Sequence, residues 1–417
     1  MINHGVLTIF VVAPFVGYLS QTFLHKQFST LVMPLMILSI FLMLFLRKEI
    51  RYTKPLTVLF LYVIYTMISD KFIAFREFNT SYFMTNDILG SLLILFMIDN
   101  TYFKEEYINK IFIISIIILF IAFVVIIIQQ FSNSTFFVSP PEILNLQIMP
   151  EWEKRLPSIY SWIGPLWILS HCFFPVLSVV IAQLLKNDNK YVWIFYFIGA
   201  FVAFFSKSRF IFINFLILFL LIPIYKKIEI KALLRYILII GICIVSFIIV
   251  AKPLNFNLDN IIQKRILETD RGGMTKGAAG TRILAFDIFN KLYVENPLFG
   301  KGRLHDFTTT SKDQELVRAL AGRSSQIHVG YLSLFYYYGF TGGVIFLTFL
   351  GLCIHRLYHN ARIHHYWGPF FGFLQLLLSN LTNVSLHIFI MGYIVCFMFD
   401  QYYTNKQGPQ YDLKAIS

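Results

Sequence analysis

The sequence predicts an all-α fold, a polytopic bundle of transmembrane helices. Hydrophobic residues make up 57% of the 417 residues and charged residues only 14%, whereas a soluble domain carries about a quarter charged residues. Mean hydropathy is +0.67, and many apolar runs approach the ~20 residues that a helix needs to cross the hydrocarbon core. These observations favour an integral membrane protein.

Hydropathy along the chain indicates about 12 candidate spans within a single membrane domain, 1–417. They lie near 6–24, 28–46, 55–69, 83–98, 109–131, 161–185, 190–206, 208–225, 232–251, 328–353, 367–383 and 385–403. Residues 252–327 interrupt the pattern as a polar, basic insert, which we predict to be a large extracytoplasmic loop. Within it, 281–295 has apolar residues at helical spacing, which indicates a short interfacial helix.

Short basic loops predict the orientation of the spans. The segment from Arg47 to Lys54 is strongly basic and is therefore expected in the cytoplasm. Counting from it puts both termini, the Lys226–Arg235 region and the loop from His355 to His365 on the same side. The insert 252–327 then falls outside, where its positive charge requires another explanation.

Arginine and lysine residues in two parts of the chain suggest that the positive charge serves to bind phosphate. Guanidinium groups match phosphate oxygens in a bidentate way, and cations at membrane depth are usually functional. The candidates are Lys207 and Arg209, which sit between two apolar spans, and Arg265, Arg282, Arg303 and Arg323 of the insert. The competing interpretation is that they are snorkelling or solvated cations. We expect them to hold a lipid-linked phosphate or pyrophosphate.

A glycine turn and a histidine complete the candidate site. In the turn 296–302, Asn-Pro-Leu-Phe-Gly-Lys-Gly, the glycines would let backbone N–H groups approach an anion. His328 opens the next span and could act as a general base near neutral pH; the alternative is a hydrogen-bonded histidine at a helix start. Tyr338, further along that span, is a candidate substrate-binding residue.

No metal or other cofactor is expected. Glu268 and Asp270 could hold a divalent cation, but Arg265 and Arg271 beside them favour local ion pairs. A histidine cluster is expected to belong to a solvated inner loop; its members are His355, His359, His364 and His365. The sequence lacks nucleotide-binding glycine motifs, and no nucleic-acid partner is expected.

The motifs resemble those of the bacterial O-antigen polymerase and O-antigen ligase superfamily, mainly over 200–345. The resemblance rests on Ser208-Arg209 after a span, Thr281-Arg282 before the turn 296–302, and His328 followed by Gly339 and Gly342. The chain departs from the family pattern at Val329, where members often have Asn, and near Phe286, where they often have Trp.

The resemblance implies a metal-independent, inverting glycosyltransferase of the bacterial inner membrane, with its active site facing the periplasm. Donor and acceptor would be oligosaccharide repeat units on undecaprenyl pyrophosphate, polymerised into O-antigen, capsule or exopolysaccharide. Arg209 and Arg282 would grip the pyrophosphate, and His328 would assist the acceptor hydroxyl. Membrane lipid, a chain-length regulator and a flippase of the same pathway are the expected partners.

Three alternatives stay open from the sequence. An O-antigen ligase, which transfers the glycan to lipid A-core, shares every motif above. A lipid-linked oligosaccharide flippase or exporter would instead distribute ionisable residues through several spans, whereas here the charges concentrate in one loop and at one rim. The third alternative is a non-catalytic assembly protein of the same pathway.

Overall fold

In the computed structural model of the chain, the described residues are 4–9, 11–12, 37–38, 40–41, 45, 50–69, 88–132, 169–206, 208–226, 231, 234–235, 238, 241–242, 286, 289–290, 296–300, 329–381 and 391–406. The regular secondary structure of these residues is entirely helical, and no strand occurs among them. The predicted all-α class is therefore confirmed.

Between residues 50 and 132, the described part of the chain contains α1 (Lys54–Ile68), α2 (Ile88–Asp99) and α3 (Glu105–Ser132); residues 4–9 and 11–12 are helical as well. Pro55 lies in the first turn of α1. N–H groups in a first turn have no partner within the helix, so a proline there costs no hydrogen bond. Glu105 opens α3, and negative charge stabilises a helix N-terminus. Each helix overlaps one predicted span.

The middle of the chain begins with a π-helical turn, Leu169–Phe173, which leads into α4 (Phe174–Lys186). It continues with α5 (Val192–Phe205), α6 (Arg209–Leu218) and α7 (Leu221–Lys226). The break between α5 and α6 falls at the predicted boundary between two spans.

The C-terminal part contains α8 (Gly330–His364), α9 (Gly368–Ser379) and α10 (Met391–Lys406). The helical course of α8 is interrupted at Gly339, whose backbone has φ 63° and ψ −169°. The long helix is therefore kinked near its start, and the kink lies inside a predicted span.

The helix that begins with the π turn lies at the centre of the bundle. Of its most apolar stretch within Leu169–Lys186, 89% is buried by protein, against 39% for Glu105–Ile128 of α3. It packs against α9 and α10, while α1 packs against α8. The outward faces carry exposed aromatic and aliphatic side chains, including Phe60, Ile117 and Phe120, as expected for contact with lipid.

Among the residues that the structure describes, three helical stretches are long and apolar enough to cross a membrane: Glu105–Ile128, Leu169–Lys186 and Gly330–His364. Shorter apolar helices accompany them over Lys54–Ile68, Leu89–Asp99, Val192–Phe205, Phe210–Lys226 and Gly368–Ser379. The predicted membrane class is confirmed by these helices. The number of spans, about 12 by hydropathy, stays a prediction.

A buried ion-pair cluster joins α2, α8 and α10. Arg356 Nη1 lies 2.6 Å from Asp99 Oδ1 and its Nε lies 2.9 Å from Asp400 Oδ2. Its Nη2 donates to Gln401 Oε1 at 2.8 Å, and Thr53 Oγ1 donates to Asp99 Oδ2 at 2.6 Å. Because both carboxylates are buried and paired, the cluster fixes how the three helices meet.

The predicted solvated loop 355–365 is wrong. The chain there is the continuation of α8, which ends at His364 and is followed by His365 with φ 48°. Polar side chains in this part contact α10: besides Arg356, Asn360 donates to Asp400 Oδ1 at 2.9 Å. Arg356 and Asn360 lie one helical turn apart in α8, and both bind Asp400 of α10. These contacts stabilise the helix as far as His364.

The bundle has two polar ends. At one end, the residue before α1, Thr53, meets Asp99 and Arg356; at the other, Tyr65 near the end of α1 contacts Tyr338 near the start of α8. We call these the ion-pair end and the turn end.

Further contacts join residues that the predicted topology places together on the cytoplasmic side. They link Lys186 with the His364 carbonyl, Lys226 with Asp188, and Lys406 with Glu105. They agree with the predicted alternation of the spans. The assignment of this side to the cytoplasm stays a prediction.

Replacing Arg356 by alanine should destabilise the protein strongly, because Asp99 and Asp400 would stay buried without a cation. We expect the free energy of unfolding to fall by about 3–5 kcal/mol, measured by thermal unfolding of the purified protein in detergent. Lys226→Ala is the control, since its pair with Asp188 is exposed, with side-chain exposures of 35% and 83%, and should contribute about 0–1 kcal/mol. Equal effects of the two variants would contradict this account.

Candidate functional site

The predicted site residues fall into two groups in the structure. Arg209 is the first residue of α6, although its side chain is not described, and Tyr338 lies within α8. The remaining candidates lie outside the described residues; they are Lys207, Arg265, Arg282, Arg303, Arg323 and His328. Their roles stay predictions, but described segments flank several of them.

The segment before Arg209 is compact. Ser206 is buried and donates from Oγ to the Ala203 carbonyl at 2.7 Å, and its Oγ accepts from the Ser208 N–H at 3.3 Å. Ser208 is extended, with φ −123° and ψ 119°, so the chain reverses between α5 and α6 within three residues. Arg209 therefore lies next to the first N–H groups of α6. Such N–H groups lack partners within their helix and attract anions.

The turn at 296–300 docks into the kink of α8. Within the turn, the Gly300 N–H donates to the Asn296 carbonyl at 2.9 Å. Across the contact, the Phe340 N–H donates to the Pro297 carbonyl at 2.8 Å and the Thr341 N–H to the Leu298 carbonyl at 3.1 Å. The kink frees these two N–H groups from the helix, and the turn accepts both. Part of the predicted large loop is thus fixed to the helix bundle.

Two glycines allow this contact. Gly300 has φ 74° and Gly339 has φ 63°, conformations that side chains rarely adopt. A Cβ on Gly300 would lie 2.4 Å from the Gly339 nitrogen, and a Cβ on Gly339 would lie 2.4 Å from the Leu298 carbonyl carbon. The expected use of Gly300 in approaching an anion is therefore replaced by packing, because its N–H already bonds within the turn.

A tyrosine of α1 closes the same contact. The hydroxyl of Tyr65 donates to the Tyr338 carbonyl at 2.8 Å and lies 3.4 Å from the Phe299 carbonyl. Ser69 Oγ lies 3.5 Å from the Phe299 carbonyl as well. Three elements, α1, the turn and α8, thus meet at backbone carbonyl groups.

Tyr338 itself is a core residue. Its side chain is fully buried, and its ring lies edge-on to Tyr62 of α1 with centroids 5.8 Å apart. In this conformation the carbonyl of Tyr338, rather than its hydroxyl, connects to the turn through Tyr65. Contact of Tyr338 with substrate stays a prediction.

The predicted interfacial helix 281–295 is helical at its described residues, 286 and 289–290. Phe286 is 50% exposed, whereas Phe289 packs against the hydrophobic core. Phe289 therefore holds this part of the chain on the bundle, and the amphipathic character of 281–295 as a whole stays a prediction. The helix precedes the docked turn in the sequence and carries Arg282 near its predicted start.

A buried polar layer at the start of α8 was not predicted. It consists of Ser170, His171, Asn214, Gln375, Ser379 and Asn380, none of which is exposed to solvent. His171 lies in the π-helical turn, a form of helix that is frequent at functional sites. An ionisable residue inside an apolar run is a signal of function in the sequence, and His171 could have been found by it. The partners of His171 could not, since they come from distant helices.

The contact between the turn 296–300 and α8 predicts that substitution of Gly339 destabilises the protein. Gly339→Ala should separate the turn from α8, because the new Cβ would overlap the Leu298 carbonyl and the backbone strain alone is worth about 1–3 kcal/mol. Gly351→Ala in the same helix is the control: nothing lies within 4 Å of its Cβ position, and alanine favours helix by about 1 kcal/mol. Thermal unfolding in detergent measures both, and a tolerated Gly339→Ala would refute the contact.

Comparison with known proteins identifies the region that contains these segments. Residues 194–347 match the family model described as O-antigen ligase. This region includes Arg209, Arg282, the docked turn, His328 and the kink of α8. No curated protein matches the chain. The predicted resemblance to the O-antigen polymerase and ligase superfamily is confirmed over residues 194–347, which are similar to that family's model.

Proposed function

We propose that the protein is a membrane glycosyltransferase that polymerises oligosaccharide repeat units carried on undecaprenyl pyrophosphate. The growing glycan is the donor, and the non-reducing end of another lipid-linked repeat unit is the acceptor. The turn end of the bundle faces the periplasm, and the reaction proceeds with inversion and without a metal ion.

The observation that carries this proposal is the match of 194–347 to the O-antigen ligase family, because it spans all three proposed catalytic residues. The structure adds that the segments flanking them are held on one bundle. Arg209 opens α6, the turn that follows the predicted helix with Arg282 docks on α8, and His328 precedes Gly330, the first residue of α8, by two residues. Two residues span at most about 7 Å.

The chemistry needs charge neutralisation on one side and a base on the other. The acceptor hydroxyl oxygen attacks the anomeric carbon of the donor, and the bond from that carbon to the pyrophosphate oxygen breaks. His328 takes the hydroxyl proton, while Arg209 and Arg282 stabilise the negative charge on the departing pyrophosphate. Lys207, Arg265, Arg303 and Arg323 extend the positive field that attracts the donor.

The distribution of buried charge supports an enzyme over a flippase. Among the described residues, the buried carboxylates Asp99 and Asp400 both pair with Arg356 at the ion-pair end. A polar path for a glycan through the bundle would need ionisable groups along several spans. The described charges instead close one end of the bundle, and the proposed site lies at the other.

The second candidate is an O-antigen ligase, and the match to a family described by that name supports it equally. Both activities use the same donor and differ only in the acceptor, a second lipid-linked repeat unit or lipid A-core. Acceptor choice depends on surfaces beyond the arginines and the histidine.

The experiment that tests the proposal supplies the acceptors separately. Purified protein in detergent is incubated with lipid-linked repeat units alone, without metal, nucleotide or lipid A-core, and the products are separated on a gel. A ladder of longer products establishes a polymerase. Transfer only after lipid A-core is added establishes a ligase, and an absence of transfer to either acceptor refutes both enzyme activities.

Arg209→Ala and Arg282→Ala should each abolish glycan transfer while the protein is still produced and folded. The lysine variants should not restore it, since an ammonium group lacks the bidentate fork of a guanidinium. Loss of one charge-stabilising donor typically lowers kcat about 10²–10³-fold. Arg235→Ala is the control, because Arg235 is exposed and belongs to the predicted cytoplasmic side. Full activity of either arginine variant would remove the pyrophosphate clamp.

A further inference from the structure

We infer that Asn380 and His171 are positioning residues for glycan transfer: they fix the start of α8, and through it His328, relative to Arg209. The inference rests on the proposed function, since it assigns these residues a part in the same reaction. Neither residue belongs to the region that matches the family, and neither side chain reaches the surface.

The first step of the argument is the contact between two helix ends. The Gly330 N–H, at the start of α8, donates to the Asn380 carbonyl at the end of α9 with a distance of 3.0 Å. The first N–H groups and last carbonyls of helices lack partners within their own helix, so each end satisfies the other. Tyr331 adds a second link, because its hydroxyl donates to the Leu377 carbonyl at 2.9 Å.

The second step is that the side chain of Asn380 is itself held. Its Nδ2 donates to the Leu376 carbonyl at 2.8 Å and lies 3.2 Å from His171 Nε2. A carbonyl only accepts, so the Leu376 contact fixes which amide atom is nitrogen. His171 Nε2 must then accept, and its Nδ1, 2.8 Å from Ser170 Oγ, carries the ring proton.

The backbone at His171 is closely packed against α10. A Cβ on Gly392 of α10 would lie 2.3 Å from the His171 carbonyl oxygen, so α10 packs directly on the π-helical turn. The turn belongs to the most buried helix of the bundle. His171 therefore contacts Asn380 from a closely packed, buried turn.

The third step connects the same end of α9 to α6. Asn214 Nδ2 donates to Ser379 Oγ at 3.0 Å, and Gln375 Nε2 donates to the Asn214 carbonyl at 3.0 Å. Asn214 follows Arg209 by five residues on α6. The last residues of α9 thus hold both the helix that begins with Arg209 and the helix that follows His328.

This arrangement matters because the base and the phosphate clamp must act on one substrate at fixed separation. A misplacement of about 1 Å can lower a rate about 10²-fold. A buried, hydrogen-bonded layer sets that separation more sharply than apolar packing, since its bonds have direction. Asn380 and His171 act through His328 and do not touch the substrate.

The test measures kcat and KM for the lipid-linked donor in Asn380→Ala and His171→Leu, per amount of folded protein. We expect kcat to fall about tenfold to hundredfold with KM nearly unchanged, because binding does not depend on the base. His171→Gln should recover most of the rate, since its amide oxygen can accept from Asn380 Nδ2. A merely structural role would not separate kcat from KM in this way.

Asn100→Ala is the matched control at the ion-pair end. Asn100 is buried, and its Nδ2 donates to the Phe96 and Arg51 carbonyls at 3.0 and 3.1 Å. Its loss should lower the unfolding temperature while kcat per folded protein stays at the wild-type value. A fall in kcat in this variant as large as in Asn380→Ala would overturn the inference.

A double variant separates positioning from a general effect. Combined with His328→Ala, Asn380→Ala should lower the rate no further, because the group that it positions is gone. Full additivity, or a wild-type kcat in Asn380→Ala, overturns the inference alone if the wild type transfers glycan and His328→Ala transfers it at a reduced but measurable rate. If the wild type transfers glycan to neither acceptor, the proposed function fails and the inference with it.

Discussion

The turn at 296–300 and the kink of α8 meet through backbone atoms, and the geometry of the candidate site depends on that contact. Gly300 and Gly339 approach so closely that neither could carry a side chain. The kink releases two N–H groups from the helix, and the carbonyls of Pro297 and Leu298 accept them. Residues 296–300 of the long polar insert are thereby fixed to a membrane helix, and the hydroxyl of Tyr65 in α1 bonds to the same junction.

Polar contacts set the arrangement of the helices at both ends of the bundle. Apolar side chains gain little by leaving lipid for protein, so the register of membrane helices depends on close packing and hydrogen bonds. At one end Arg356 binds two buried aspartates. At the other, Asn380 joins the ends of two helices and rests on His171. The first cluster holds α2, α8 and α10 together. The second lies beside the segments that carry the proposed chemistry.

The proposed mechanism divides these tasks between loop and bundle. Arginine is always charged and matches the geometry of phosphate groups, but in the proposed mechanism its long side chain must start from a fixed backbone position. The backbone of Arg209 is held as the first residue of α6. The buried polar layer holds the segment that follows His328. Transfer between two large lipid-linked substrates is consistent with a site at the rim of the bundle, where both glycans stay in water.

The sequence alone determined the membrane class, the positions of most helices, the break at 206–208 and the resemblance to the O-antigen polymerase and ligase superfamily, because hydropathy and short motifs are local properties. It also predicted the helical character seen at 286 and 289–290. Tertiary structure decided the rest. It extended α8 to His364 through the contacts of Arg356 and Asn360, paired Gly300 with Gly339, buried Tyr338 against Tyr62, and joined His171 to Asn380. Each of these depends on atoms from segments far apart in the chain, and no local pattern records which distant segments meet.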